Sequence, residues 1–251
     1  MKMDEDKIRE EILKARQSAV SKAGSKWENY VESFLKDSFE QMIKTVQDDE
    51  LEKIVDIEVR KMSQRGEIEA IKQQFPKLYK TLFIPIVNFA KDRQFLIDNP
   101  EIIDTIFDTG VVGDTDIVVF SRKHQIPIVI ISCKVSLHGR LTETLFYSLY
   151  YRITNKTKFV LATPDKGKQS GRGRWETEWG TIENPSKDRI LSILFLDGVY
   201  IDNVPEFMPK EFDSERNRTE IGGIVRYLLE LPADIVRWYD DIKFSIVNNK
   251  S

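Results

Sequence analysis

Two runs of β-branched residues constrain this chain most: Val111-Val-Gly-Asp-Thr-Asp-Ile-Val-Val-Phe120 and Ile126-Pro-Ile-Val-Ile-Ile-Ser-Cys-Lys134, joined by the polar Ser121-Arg-Lys-His-Gln125. Their composition and spacing predict a β-hairpin. Alternation along a strand puts Asp114, Asp116 and Val118 on one face of the first run. On the second, Ser132 and Lys134 share a face and Cys133 points away. Two carboxylates and a lysine can therefore converge. The second run is otherwise Ile-Val-Ile-Ile, typical of a buried strand, and a lysine ending such a run either snorkels to solvent or serves chemistry.

Downstream, Leu141, Leu145, Leu149 and Ile153 repeat every four residues and predict a helix from about Arg140 to Thr154, and Lys158 to Thr163 reads as a short apolar strand. Strand, strand, helix, strand implies an α/β core. After a Gly-rich basic loop, Ile190–Leu196 and Val199–Ile201 read as further strands around the turn pair Asp197-Gly198, and Thr219–Ile246 returns to helical periodicity. Upstream, Lys7 to Phe107 reads as helix after helix, with breaks at Gly24, Pro76, Pro85 and Pro100. Within it Trp27, Val31, Phe34 and Leu35 make one buried helical stripe flanked by Glu28 and Glu32. No repeat or low-complexity tract breaks the chain, so one domain over 1–251 is expected, with a mainly helical part at 1–107 and an α/β core at 108–251.

With 251 residues, 41% of them hydrophobic, the chain can bury a substantial core without staples. One cysteine and two histidines exclude a disulfide framework and leave too few soft ligands for tetrahedral zinc, so a bound metal would be a hard, oxygen-held cation, which points to Mg2+. Met1 to Lys14 is charged throughout, and no later run is long enough to cross a bilayer, so a soluble intracellular protein with no membrane partner is expected. The net charge of −3 does not decide for or against nucleic acid, because local clustering governs phosphate binding.

Hydrolysis of a phosphodiester requires charge neutralisation at the pentavalent centre and a hydroxide near neutral pH. A carboxylate-held magnesium supplies both, and a nearby lysine can orient the water. Asp116 and Lys134 are that minimum set, although an isolated Asp-Thr-Asp turn and a solvated strand-end lysine would look the same. Beyond spacing, Gly113-Asp-Thr-Asp-Ile-Val-Val-Phe120 followed by Ile130-Ile-Ser-Cys-Lys-Val-Ser-Leu-His-Gly-Arg140 resembles the hairpin of PD-(D/E)XK restriction endonucleases. The resemblance implies a restriction-endonuclease-like mixed central sheet flanked by helices. It also makes Asp116 the metal-binding aspartate and Lys134 the motif lysine of a Mg2+-dependent, sequence-specific type II enzyme acting on double-stranded DNA.

The sequence departs from the family two residues before the lysine, where an acid is usual and Ser132 stands here. The BsaWI-like group that cuts CCGG-centred sites also carries serine there and draws its acid from the following helix. That resemblance implies Glu143, although the group's acid lies about a turn further on, where this chain has Tyr147 or Ser148. An acid in a first helical turn is also favoured by the helix dipole alone. Asp114 is the reserve metal ligand. Many of these nucleases place a first-helix glutamate beside the metal; Gly24-Ser-Lys-Trp-Glu28 resembles that helix, which implies Glu28, with Glu32 as competitor.

Pro164 to Trp175 carries Lys166, Lys168, Arg172 and Arg174 among three glycines, and with Gln169 it is the expected DNA-recognition loop, about 164–180, unless it is a plain solvated turn. Arg140, Arg216 and Arg218 are further candidates for DNA contact, while His124 and His138 read as loop residues. Trp175, Trp179, Trp238, Tyr147, Tyr150 and Tyr151 are assigned to packing. The resemblance further implies a homodimer or higher homo-oligomer, a prokaryotic cytoplasmic setting and a cognate DNA methyltransferase gene nearby. A repair or recombination nuclease such as a junction resolvase, or a DNA-binding protein without catalysis, would keep the same fold.

Overall fold

A computed structural model describes residues 2–62, 65–82, 115–137, 141–154 and 157–248. The chain opens with helices α1 (Lys2–Thr45) and α2 (Asp48–Asp56), then strand β1 (Ile57–Lys61) and helix α3 (Arg65–Gln74). The hairpin follows as β2 (Ile117–Ser121) and β3 (Ile126–Cys133), and leads to α4 (Leu141–Thr154) and β4 (Lys158–Thr163). A short pair, β5 (Lys168–Gln169) and β6 (Trp175–Glu176), precedes α5 (Lys187–Phe195), β7 (Gly198–Ile201), β8 (Val225–Tyr227) and α6 (Leu231–Asn248).

One mixed sheet runs in the order β1-β2-β3-β4-β7-β8, and β5 and β6 form a separate hairpin. Strand β2 runs antiparallel to both β1 and β3, whereas β3, β4, β7 and β8 are parallel. This topology brings the C-terminal ends of β1, β3, β4, β7 and β8, and the N-terminal end of β2, to one edge of the sheet.

Both faces of the sheet are covered, which is why β3 can be an unbroken apolar run. On one face Ile117, Val119, Ile131 and Val160 join Trp27, Val31 and Leu35 of α1 and Ile235 of α6 in a single core. On the other, Val118, Ile130, Phe159 and Leu161 join Ile68 and Ile71 of α3 and Leu141 and Leu145 of α4. Pro127, which cannot donate to a ladder, is accommodated where the β2–β3 register shifts between Val119 and Phe120. At the hairpin's turn the Asp56 carboxylate accepts the Lys123 amide at 2.6 Å and the Tyr239 hydroxyl at 2.8 Å, pinning that end far from the edge just described.

Helix α1 runs from Lys2 to Thr45 without the break expected at Gly24, and the breaks expected at Pro85 and Pro100 lie outside the described residues. Three elements also differ from the sequence reading. Ile57–Lys61 is a strand inside the stretch read as successive helices; its burial alternates, with Ile57, Val59 and Lys61 inward, a period of two hidden among helix-forming Glu, Arg and Lys. Residues 187–195 form α5, not a strand: the Ser186 side chain accepts the Arg189 amide as an N-cap, and the next strand, β7, pairs in parallel with β4, so Asp197-Gly198 is no hairpin turn. Within 219–246, residues 225–227 form edge strand β8 and helix begins only at Leu231. Residues 111–114, and with them Asp114, lie outside the described residues, as do His138 and Arg140. No described helix is long and apolar enough to cross a membrane.

Candidate active site

Asp116 sits one residue before β2 and Lys134 one residue after β3, so the antiparallel pairing of these strands sets the two side by side. Lys134 Nζ lies 3.2 Å from Asp116 Oδ2. The same oxygen accepts the Cys133 amide at 2.6 Å, so the carboxylate is held by both backbone and ammonium. Both side chains are largely enclosed, at 16% and 11% of their full exposure for Asp116 and Lys134. Enclosure lowers the local dielectric and strengthens any charge interaction made there.

Ser132 points to the α4 side and is completely buried, its hydroxyl 3.4 Å from the Thr144 hydroxyl. The α4 side chain opposite Ser132 is thus a hydroxyl, while Glu143, one residue earlier, is exposed in the first turn. One turn later Ser148 is buried and donates to the Phe195 carbonyl, and Tyr147 is half-buried.

Helix α1 crosses the edge where β3 and β4 end. Trp27 donates from Nε1 to the Ala162 carbonyl at 2.9 Å, and that carbonyl also accepts the Lys134 amide at 3.0 Å. Tyr30 donates to Asp202 beyond the end of β7. Between them, Glu28 Oε2 lies 3.3 Å from Lys61 Nζ at the end of β1, and Lys61 donates to Asn29 Oδ1 at 2.7 Å. Glu32, one turn on, pairs with Lys36 at 2.8 Å. Lys61 and Asn29 escaped the sequence reading. The only signal for Lys61 was its place at the end of a period-two segment, and its partners lie 32 residues away or more.

Beyond β4 the basic loop is built, not loose. The buried Asp165 carboxylate accepts the Gly167 amide at 3.0 Å, the Glu178 amide at 3.1 Å and the hydroxyls of Thr177 and Thr219, which clamps both arms of the loop. Gly167 has φ +68°, and a Cβ there would meet the Phe212 ring at 2.2 Å, so only glycine fits. The β5–β6 hairpin projects from this base. Its tip is closed by bonds from the Ser170 amide to the Arg174 carbonyl (2.7 Å) and from the Gly173 amide to Ser170 (2.8 Å). Gln169 donates to the Gly173 carbonyl at 3.1 Å, Arg172 and Arg174 are exposed, and Lys166 and Lys168 are half-buried. Burial pushes Lys166 below the usual lysine range.

Glu178 closes the base with an oxygen, Oε2, that is buried without a hydrogen-bond partner among the described residues. Burial first, then the charges of Asp165 and Asp188, push its carboxyl from 4.5 up to about 8. The folded protein therefore holds a proton that the unfolded chain releases. The associated stability is complete below pH 4.5 and is lost as pH rises through about 8, at roughly 1.4 kcal/mol per pH unit within that window. Glu178→Gln is expected to flatten this fall and to raise the melting temperature at pH 9 relative to wild type. Calorimetry from pH 5 to 9 checks it, and parallel curves for the two proteins would contradict it.

The remaining candidates are dispersed. Arg218 packs on Tyr227, its guanidinium 5.8 Å from the ring centre, and Arg216 is exposed in a turn capped by Asp213. Trp179, Trp238 and Tyr151 are buried, and Trp175 is half-buried beside Phe212. The Tyr150 side chain lies outside the described residues.

Among the described residues, no group of three or more His, Cys, Asp or Glu is gathered as a ready metal cage. Magnesium, however, is commonly held by one or two carboxylates, with waters and substrate phosphate completing the shell. Asp116 with one more acid is a donor set of that chemistry, and Glu28 Oε2, paired with Lys61, is a hard oxygen at the same edge. A family model described as BsaWI restriction endonuclease type 2 matches residues 91–219, just over half of the 251-residue chain. The matched region runs from before β2 through the basic hairpin and β7, and leaves out Glu28 and Lys61. No curated protein matches the chain.

Proposed function

The chain belongs to the BsaWI family of type 2 restriction endonucleases, and from that premise we propose that it hydrolyses phosphodiester bonds at a specific sequence in double-stranded DNA with Mg2+. Its mixed sheet flanked by helices is the restriction-endonuclease-like fold of that family. The observation that carries the proposal is the approach of Lys134 Nζ to Asp116 Oδ2, 3.2 Å, at the sheet edge where the parallel strands end.

In this reading the Asp116 carboxylate holds the cation, with a second oxygen from Glu143, Asp114 or Glu28. The bound magnesium would neutralise phosphate charge and lower the pKa of a water. Lys134 would orient the attacking water and donate toward the scissile phosphate, and the closed surroundings give its charge full effect. Ser132 supports from beneath through Thr144 and contributes no carboxylate. The β5–β6 hairpin reads DNA: Arg172 and Arg174 contact base edges, and Lys166, Lys168, Gln169 and Arg140 follow the backbone. Two copies related by a two-fold axis would cut both strands of a palindrome, beside a cognate methyltransferase in a prokaryotic cytoplasm.

Purified protein incubated with mixed plasmid and phage DNA plus magnesium is expected to give discrete fragments. Arg172→Ala with Arg174→Ala is expected to weaken binding of the mapped site by about 100-fold, since each bidentate contact discriminates by roughly 1–3 kcal/mol. A smear would contradict sequence specificity, and intact DNA would contradict the nuclease reading itself.

A further inference from the structure

Lys61 ends β1 only 5% exposed, although a lysine at a strand end can ordinarily extend its stem to water. A buried ammonium requires acceptors and a counter-charge. Both come from one turn of α1: the Asn29 side-chain oxygen at 2.7 Å and Glu28 Oε2 at 3.3 Å. The dependence is mutual, because Glu28 Oε2 is buried with no hydrogen-bond partner among the described residues and Lys61 supplies its compensating charge. The pair is also tied to the strand that delivers Asp116. Lys61 stands opposite Ile117 in the β1–β2 register, and the next amide, of Met62, donates to the Asp116 carbonyl at 2.8 Å.

We infer that Lys61 is a positioning residue, which fixes the Glu28 carboxylate at the sheet edge where β1 and β3 end. Its enclosure keeps it from DNA, so it acts through Glu28. The inference rests on the nuclease reading above. It adds to that reading a second lysine, on a different strand from Lys134, whose role is to hold an acid.

The test is single-turnover and steady-state cleavage of a mapped DNA site by wild type, Lys61→Met, Lys61→Arg, Glu28→Gln and the double variant Glu28→Gln with Lys61→Met. Lys61→Met is expected to lower kcat by more than about tenfold with KM for DNA within about twofold, because an interaction serving only the reaction is lost. Lys61→Arg restores most of the rate, since a guanidinium supplies the same charge and donors. The double variant removes both charges and so keeps the buried site neutral even if Lys61→Met alone fails to fold. It is expected to cleave as fast as Glu28→Gln, the non-additivity of two groups acting as one. A double variant at least tenfold slower than Glu28→Gln, an arginine that does not rescue, or a Lys61→Met protein that cleaves at the wild-type rate each overturns the inference while leaving the nuclease reading in place. Wild-type protein that leaves the DNA intact overturns both.

Discussion

Lys134→Met is expected to slow DNA cleavage by about 10³-fold while binding of the same DNA changes by no more than a few-fold, the signature of a group that acts in the transition state. Asp116→Asn is expected to do at least as much, since it removes the charge that holds the cation. The two together should be no slower than the worse of the pair, because they serve one step. Neither change should unfold the protein. Asp116 and Lys134 lie just outside the strand ladders, and an asparagine at 116 can still accept the Cys133 amide. A control is built into the fold. Lys158 also faces a carboxylate, Asp197, at 3.8 Å, but at the start of β4 and therefore at the opposite edge of the sheet. Lys158→Met is expected to cleave at the wild-type rate. Gel-shift and rapid-quench measurements separate binding from cleavage, and a Lys134→Met enzyme retaining a tenth of the wild-type rate would remove Lys134 from the reaction.

Trp27→Ala is expected to produce the largest loss of stability among single changes near the site, about 3–5 kcal/mol. Trp27 is completely buried between the sheet and the rings of Tyr30 and Phe207, 5.4 and 5.1 Å away, so truncation leaves a cavity in the core between α1 and the sheet. It also removes one of the two donors to the Ala162 carbonyl, the other being the Lys134 amide. For a chain of this length each kcal/mol shifts the melting temperature by roughly 2–4 °C, so a fall of about 10 °C is expected by circular dichroism. Trp27→Phe, which keeps the apolar body and loses the hydrogen bond, should fall by only a few degrees. An unchanged melting temperature for Trp27→Ala would mean that α1 does not dock across this edge.

The parts of the fold legible in the sequence are those whose periodicity is local. The β2–β3 hairpin, α4 and β4 follow from alternating or four-residue spacing, and the approach of Asp116 to Lys134 follows from the hairpin register. What escaped has physical causes. The outward side of α5 carries Ile190, Ile193 and Leu194, which are exposed, so that helix lacks a polar face and its β-branched residues read as a strand. Strand β8 is only three residues long at the sheet's edge, too short to interrupt a helical pattern. Strand β1 is written in helix-forming residues, and packing against α1 and β2 overrides that propensity. The pairing of Lys61 with Glu28 is invisible for the same reason: it depends on a helix and a strand far apart in the chain that meet only in the folded sheet. The hydroxyl pair of Ser132 and Thr144 was half legible. The missing acid could be seen, but which α4 side chain faces it depends on helix rotation, which spacing alone does not determine.

The most direct measurement is a crystal structure of the protein with its mapped DNA duplex and calcium, a hard cation expected to occupy the magnesium position without supporting cleavage. The expected result is a cation at the Asp116 carboxylate, with the scissile phosphate within reach of Lys134 Nζ. A cation bound elsewhere, or a duplex docked away from the edge where β3 and β4 end, would contradict it.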